Sequence, residues 1–204
     1  MTLASGPPRA AAVVGIDAGG TAVKVALYTA DGGERAVRAM TPRLVTPAPG
    51  HAERDPEEMW RGVCACIVGV LADAGLAGAD VAAVGLTGYG NGLYLVDAAG
   101  RPVANGILAS DIRAAAICDA WVAAGLEAAR VAATYQRLWP GTPAALLAWH
   151  RDHRPDLLAA ATAVLMCKDF LRLRLTGRLA AEITDQSTAA LVGADRDYAR
   201  PLLA

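Results

Sequence analysis

The stretch that most constrains this chain lies near its start. An apolar run ends on Asp17-Ala18-Gly19-Gly20-Thr21 and resumes at once as a second apolar run. Residues 11–17 read as a buried strand entering a tight turn at Gly19-Gly20. Residues 22–29 read as a second strand, with Val23, Val25 and Leu27 alternating against Ala22, Lys24 and Ala26. Asp31-Gly32-Gly33 marks another turn, and residues 34–40 return as a third strand. The chain therefore opens as an antiparallel meander. A Rossmann unit would leave its first strand directly into a helix, so that architecture is excluded. The glycines also do not spell G-x-x-x-x-G-K-[ST], and no helix follows them, which excludes a Walker A loop.

Such a turn can still hold a phosphate. Two glycines let the backbone fold tightly and present N–H groups. Thr21 adds a hydroxyl donor, Lys24 a compact positive charge, and Asp17 a carboxylate able to hold Mg²⁺ through water. An ordinary Asp/Gly hairpin turn would use the same glycines, so spacing alone leaves both readings open. Lysine is a minority choice here: of nineteen basic residues only Lys24 and Lys168 are Lys.

After a proline-rich connection over 42–56, Asp55-Pro56-Glu57-Glu58 supplies a helix N-cap, a Pro at the first helical position and acids in the first turn. That helix should run to about Ala74, where Gly75 stops it. Residues 81–87 read as a strand, 88–92 as a glycine-rich loop, 93–96 as a strand and 97–100 as a turn. Beyond Asp111 helices are expected over 112–124, 126–133, 142–153 and 155–160, then a strand over 163–166 and a helix over 169–175. The fold class is α/β, a mixed sheet flanked by helices. With 204 residues, 54 % of them hydrophobic and 19 % charged, the chain is long and apolar enough to bury a real core.

Net charge is −1 with acids and bases interspersed, so no basic stripe suits a phosphate backbone and nucleic acid is not expected as a partner. Residues 1–11 read as an N-terminal tail. The apolar stretch 10–16 ends at Asp17, too short for a signal-peptide core, and no run approaches the ~20 apolar residues of a membrane helix. No membrane partner is expected, and the cytoplasm is the default location. Cys64 and Cys66 stand two apart in a helical pattern and point to different faces; with Cys118 and Cys167 they read as buried free thiols. His150 and His153 could share a helix face, but no third metal ligand accompanies them.

The first site, Asp17-x-Gly19-Gly20-Thr21-x-x-Lys24, resembles the phosphate-binding hairpin of the FGGY carbohydrate kinases. Further segments follow in that family's order. Gly50-His51-Ala52-Glu53-Arg54-Asp55-Pro56 leads into a helix bearing Trp60. Residues 84–97 resemble the strand–loop–strand that delivers sugar-binding side chains. Asn105-Gly106-Ile107-Leu108-Ala109-Ser110-Asp111-Ile112-Arg113 follows, and the pattern is most similar to the L-xylulose (3-keto-L-gulonate) kinases. Leu138-Trp139-Pro140-Gly141-Thr142 resembles the segment lining the outer sugar pocket. The run from Lys168-Asp169-Phe170-Leu171 through Glu182 and Asp185 also matches, and reads as mainly structural.

The resemblance implies a ribonuclease H-like lobe of the actin, heat-shock ATPase and hexokinase type over residues 12–204. It implies ATP and Mg²⁺ at Asp17, Gly19, Gly20, Thr21 and Lys24, with Asp17 nearest the metal. It implies a sugar at Gly90, Asn91, Asp111, Arg113 and Trp139. Asp111 also suits a plain helix N-cap, and Trp139 an aromatic core anchor. The expected reaction is transfer of a γ-phosphoryl group to a hydroxyl of a ketose, a pentulose such as xylulose. Polyols such as erythritol or glycerol are the alternative acceptors, and a non-catalytic sugar-binding module is the alternative class. A homodimer stays open. In the family the catalytic Asp and the second ATPase lobe fall beyond the position of Ala204, so the chain is expected to be an N-terminal part with no turnover of its own.

Overall fold

The computed structural model describes residues 12–200, so the expected tail and the first residue of the opening strand lie outside the described part. The chain divides into two compact units. The first comprises the chain up to Pro42 together with Glu58–Gly88, and the second comprises Arg43–Glu57 and the chain from Tyr89 onward.

The first unit is built on the meander. Strands β1 (Ala12–Ala18), β2 (Val23–Thr29) and β3 (Glu34–Met40) pair antiparallel in sequence, and β5 (Val81–Gly88) joins parallel to β1. The strand order is β3-β2-β1-β5, a mixed sheet as the sequence pattern requires. Alternation sorts the faces. Val14, Ile16, Val23, Val25 and Leu27 are buried, while Asp17 and Lys24 are exposed on the opposite side. Helix α1 (Pro56–Ala74) enters this unit at Glu58 and buries Met59, Val63, Cys66 and Val70, spaced four, three and four apart along one stripe. It crosses β3 closely: a Cβ at Gly62 would stand 2.1 Å from the Met40 side chain. Arg38 on β3 pairs with Asp73 on the last helical turn at 2.6 Å.

The second unit is mainly helical. Two short antiparallel pairs frame it, β4 (Glu53–Arg54) with β7 (Gly106–Ile107) and β6 (Tyr94–Val96) with β8 (Ala163–Leu165). Helices follow as α2 (Ala115–Ala123), α3 (Leu126–Thr134), α4 (Pro143–His153), α5 (Pro155–Ala160), α6 (Cys167–Thr176) and α7 (Ile183–Thr188). Leu93, Leu95, Ile107, Cys118, Leu138 and Leu146 belong to one buried cluster.

Four elements differ most from the sequence expectation. Helix α2 begins three residues later than expected, because the Asp111 carboxylate bonds the Arg113 N–H two residues on and holds 111–113 in a turn. Strands β4 and β7 are only two residues long, too short to leave a periodic pattern. Helix α7 is set up from outside its own segment: Asp169 on α6 accepts from the Glu182 N–H at 2.9 Å, and Glu182 then caps the helix by accepting from Thr184 and Asp185. Among the described residues no disulfide joins the four cysteines, three of which are buried. Among the described residues no helix is long and apolar enough to cross a membrane.

Candidate functional site

The expected site residues fall into two groups, one in each unit. In the first unit the register pairs Asp17 with Lys24 and Ala18 with Val23, leaving Gly19, Gly20, Thr21 and Ala22 as the hairpin loop. The two glycines do different work. A Cβ at Gly19 would stand 2.9 Å from the Ala22 carbonyl oxygen, so loop closure itself requires glycine there. A Cβ at Gly20 would meet nothing within 4 Å, so packing does not require glycine there and the position keeps open space beside the loop. Asp17, Gly20, Thr21 and Lys24 are all exposed. Asp17 is also paired with Thr87 on β5, so Lys24, Asp17 and Thr87 stand side by side across three strands. They border a cavity of about 470 Å³ over the sheet face that α1 does not cover, with Gly15, Ala26 and Gly85 as its floor.

In the second unit, close backbone approaches assemble the other group. The Gly92 N–H donates to the Gly141 carbonyl at 2.9 Å, bringing the 88–92 loop against the segment after Trp139. Gly92 has φ +76°, and a Cβ there would stand 2.3 Å from the Ile107 carbonyl oxygen; a Cβ at Gly141 would stand 2.1 Å from that of Ala109. Gly90, Asn91, Ala109 and Trp139 are thereby gathered. Asn91 sits at φ +62°, a left-handed position that an Asn accepts better than a branched residue. Its Oδ1 is buried and has no hydrogen-bond partner within the protein. Trp139 is 40 % exposed, not the buried core anchor that was its alternative reading.

Asp111 and Arg113 do something else. Asp111 is fully buried, and its carboxylate accepts four bonds: from the Ala52 N–H at 2.6 Å, the Arg113 N–H at 2.8 Å, and the Arg113 Nε and an Arg113 terminal nitrogen at 2.9 and 2.8 Å. Arg113 also donates to Glu53 at 2.7 Å and lies over the Trp149 ring, 5.0 Å from its centre. Asn105 donates to the other Glu53 oxygen at 3.1 Å. Burial alone would lower the Arg113 guanidinium, but its bonds to Asp111 and Glu53 outweigh that and raise it. A carboxylate so engaged has no capacity left for a sugar hydroxyl. By these bonds Asp111 and Arg113 clamp residues 50–54 against 105–113. Asp111 does not cap α2, whose N-cap is Ala114 with no side-chain bond.

Asp185, which reads as mainly structural from the sequence, and Thr188, which the sequence does not single out, border Gly90. A Cβ at Gly90 would lie 3.6 Å from Asp185 Oδ1 and 3.5 Å from Thr188 Oγ1. Asp185 is 5 % exposed and pairs with Lys168 at 3.3 Å through Oδ1, while its Oδ2 is buried without a hydrogen-bond partner. Burial holds its carboxyl above the ordinary carboxylate range, partly offset by Lys168. Lys168 also pairs with Glu182 at 2.9 Å. Lys168 stands out as a minority lysine, but no local pattern shows what it faces. His150 and His153 do not form a metal pair: His153 stacks on Trp149, and His150 is buried. Among the described residues no cluster of three or more His, Cys, Asp or Glu is arranged to hold a metal.

Comparison with known proteins places the chain in a family. The model of the N-terminal domain of the FGGY family of carbohydrate kinases matches residues 12–204. The chain is 37 % identical over 164 residues to the L-xylulose/3-keto-L-gulonate kinase of Escherichia coli, covering 80 % of this chain and 33 % of that protein. It is 34 % identical to the xylulose kinase of the same organism, covering 93 % of this chain and 39 % of that one. Among solved structures, ligand-bound xylulose kinase from Lactobacillus acidophilus superposes with a TM-score of 0.87 at 22 % identity, over 94 % of this chain and 39 % of that chain. The likeness establishes the fold. The chain spans about a third to two fifths of the length of these relatives.

Proposed function

The chain belongs to the FGGY family of carbohydrate kinases, and from that premise we propose that it is the sugar-binding, phosphate-holding part of an enzyme that phosphorylates a ketopentose with ATP. L-xylulose is the preferred candidate, since the relatives named for it resemble this chain over most of its length. The observation that carries the sugar reading is the Asn91 amide. Its oxygen is buried without a protein partner at the tip of a loop drawn inward by Gly92 and Gly141. A buried acceptor left unbonded costs about 1–3 kcal/mol, and a ligand hydroxyl would recover it.

At the hairpin, the open space at Gly20 would take the phosphates, with Thr21 as a donor and Lys24 as the compensating charge. Asp17 is exposed at the strand end, which fits a Mg²⁺ held mostly by water and phosphate oxygens. The metal would neutralise charge on the phosphates. The residues of this chain would orient the nucleotide and the acceptor, a contribution of positioning rather than of covalent chemistry.

The test is calorimetric titration of the chain with L-xylulose and, separately, with MgATP. Asn91→Ala should weaken the sugar about 5-fold and leave the nucleotide alone, whereas Gly20→Val should weaken the nucleotide and leave the sugar alone. Loss of both ligands in both variants, or of neither, would refute the division of labour.

A further inference from the structure

We propose that Asp185, reached through the gap that glycine leaves at position 90, accepts a hydroxyl of the bound sugar and sets which ketopentose epimer is preferred. The inference rests on the reading of the Gly90–Asn91 loop as sugar-facing. If that loop faces the ligand, the ligand fills the space that a side chain at position 90 would occupy. That space is bounded by Asp185 Oδ1 at 3.6 Å and Thr188 Oγ1 at 3.5 Å from the Cβ position, so any side chain there would stand between the ligand and both oxygens. Glycine uncovers them. Gly90 has no positive φ, and a Cβ there would make only ordinary contacts, so neither the backbone nor packing demands glycine.

Asp185 keeps accepting capacity on the oxygen that faces position 90. That oxygen, Oδ1, is engaged only by Lys168 at 3.3 Å, which leaves it a lone pair for a hydroxyl, while Oδ2 is buried with no hydrogen-bond partner in the protein. The carboxylate is held in place by a relay. Asp169 fixes the Glu182 N–H, Glu182 caps α7, and the first turn of α7 carries Asp185 to the loop. Thr188 donates its own proton to the Asp185 carbonyl at 2.8 Å, leaving Oγ1 lone pairs free to accept. Together with the Asn91 amide oxygen, three acceptors then meet a ligand rich in hydroxyl donors, and an ionised acceptor discriminates most strongly among hydroxyl positions.

The experiment titrates the chain with L-xylulose and its epimer L-ribulose, as wild type and as Asp185→Asn, Gly90→Ala, the double variant, and Asn91→Ala. Asp185→Asn keeps the size of the side chain and an oxygen acceptor, so folding is expected to survive; a thermal melt checks this. The expected result is a 5- to 30-fold weaker L-xylulose affinity for Asp185→Asn, with the ratio between the two epimers changed. A merely structural Asp185 would leave that ratio fixed. Gly90→Ala should weaken binding likewise, and the double variant should bind no worse than the weaker single one, because both act on the same contact. Wild-type affinity and ratio in Asp185→Asn, with Asn91→Ala weakened, would overturn this inference and leave the sugar-site reading standing. No response to any of these substitutions, or no ketopentose binding by the wild type, would overturn both.

Discussion

Asp111→Asn separates a clamp from a sugar ligand, and the structure predicts a clamp. The substitution preserves shape but removes the negative charge opposite Arg113, and its amide nitrogen would face a donor, either the Ala52 N–H or the Arg113 guanidinium. Breaking a buried ion pair from one side costs about 3–5 kcal/mol. Arg113 keeps Glu53 at 2.7 Å, so the lower end applies, about 3 kcal/mol. Domains of this size are stable by about 5–15 kcal/mol and shift roughly 2–4 °C in Tm per kcal/mol, which gives a loss of roughly 6–12 °C. Thermal melting followed by circular dichroism reads the loss, and L-xylulose titration below the melt reads the site. A Tm within about 2 °C of wild type together with a tenfold or greater fall in sugar affinity would refute the reasoning. That result would place the carboxylate on the ligand.

Gly141→Ala should destabilise clearly, because its Cβ would stand 2.1 Å from the Ala109 carbonyl oxygen, whereas Gly20→Ala should leave the melt unchanged; equal melting of the two would refute the packing argument. Burial, with the charges of Arg113 and Arg154, drives the His150 imidazole down to about 4 from an ordinary 6.5. The unfolded chain therefore takes up a proton before the folded one does, and stability is lost as pH falls from 6.5 towards 4, by up to about 3 kcal/mol. His150→Phe should remove that loss, and an unchanged stability difference between wild type and variant across this range would contradict it. Burial pushes Asp169 up to about 6, so its folded state holds a proton that the unfolded state has released, and stability is lost as pH rises from 3.8 through 6. Asp169→Asn should gain on the wild type over that window and level off above it, and a pH-independent difference would show that Asp169 ionises normally.

How much could be read from the sequence follows from where the information sits. The meander was legible because everything that makes it is local: alternating Val23, Val25 and Leu27, the glycines at the turn, and an N-cap with Pro56 at the start of α1. So was the separation of the hairpin from the later loop. The job of Asp111 was not legible, because its main-chain partner Ala52 is 59 residues away and arrives only when β4 pairs with β7. A local pattern sees an acidic residue ahead of a helix and reads a cap or a ligand. Only the fold shows that all four of its bonds stay inside the protein.

The same limit explains Asp185. In the sequence it is one acid in a run of structural appearance, and Gly90 is one glycine among several in a loop. Neither signals the other. Their meeting depends on Asp169, Glu182 and α7, a relay in which each step is a single hydrogen bond between segments that show no shared periodicity. Glycine at 90 then acquires a meaning that no turn rule supplies, since its φ is not left-handed and a Cβ would fit. A position that tolerates a side chain on steric grounds, yet carries none beside a buried carboxylate whose facing oxygen is bound only by Lys168, is better explained by what must pass than by what must bend.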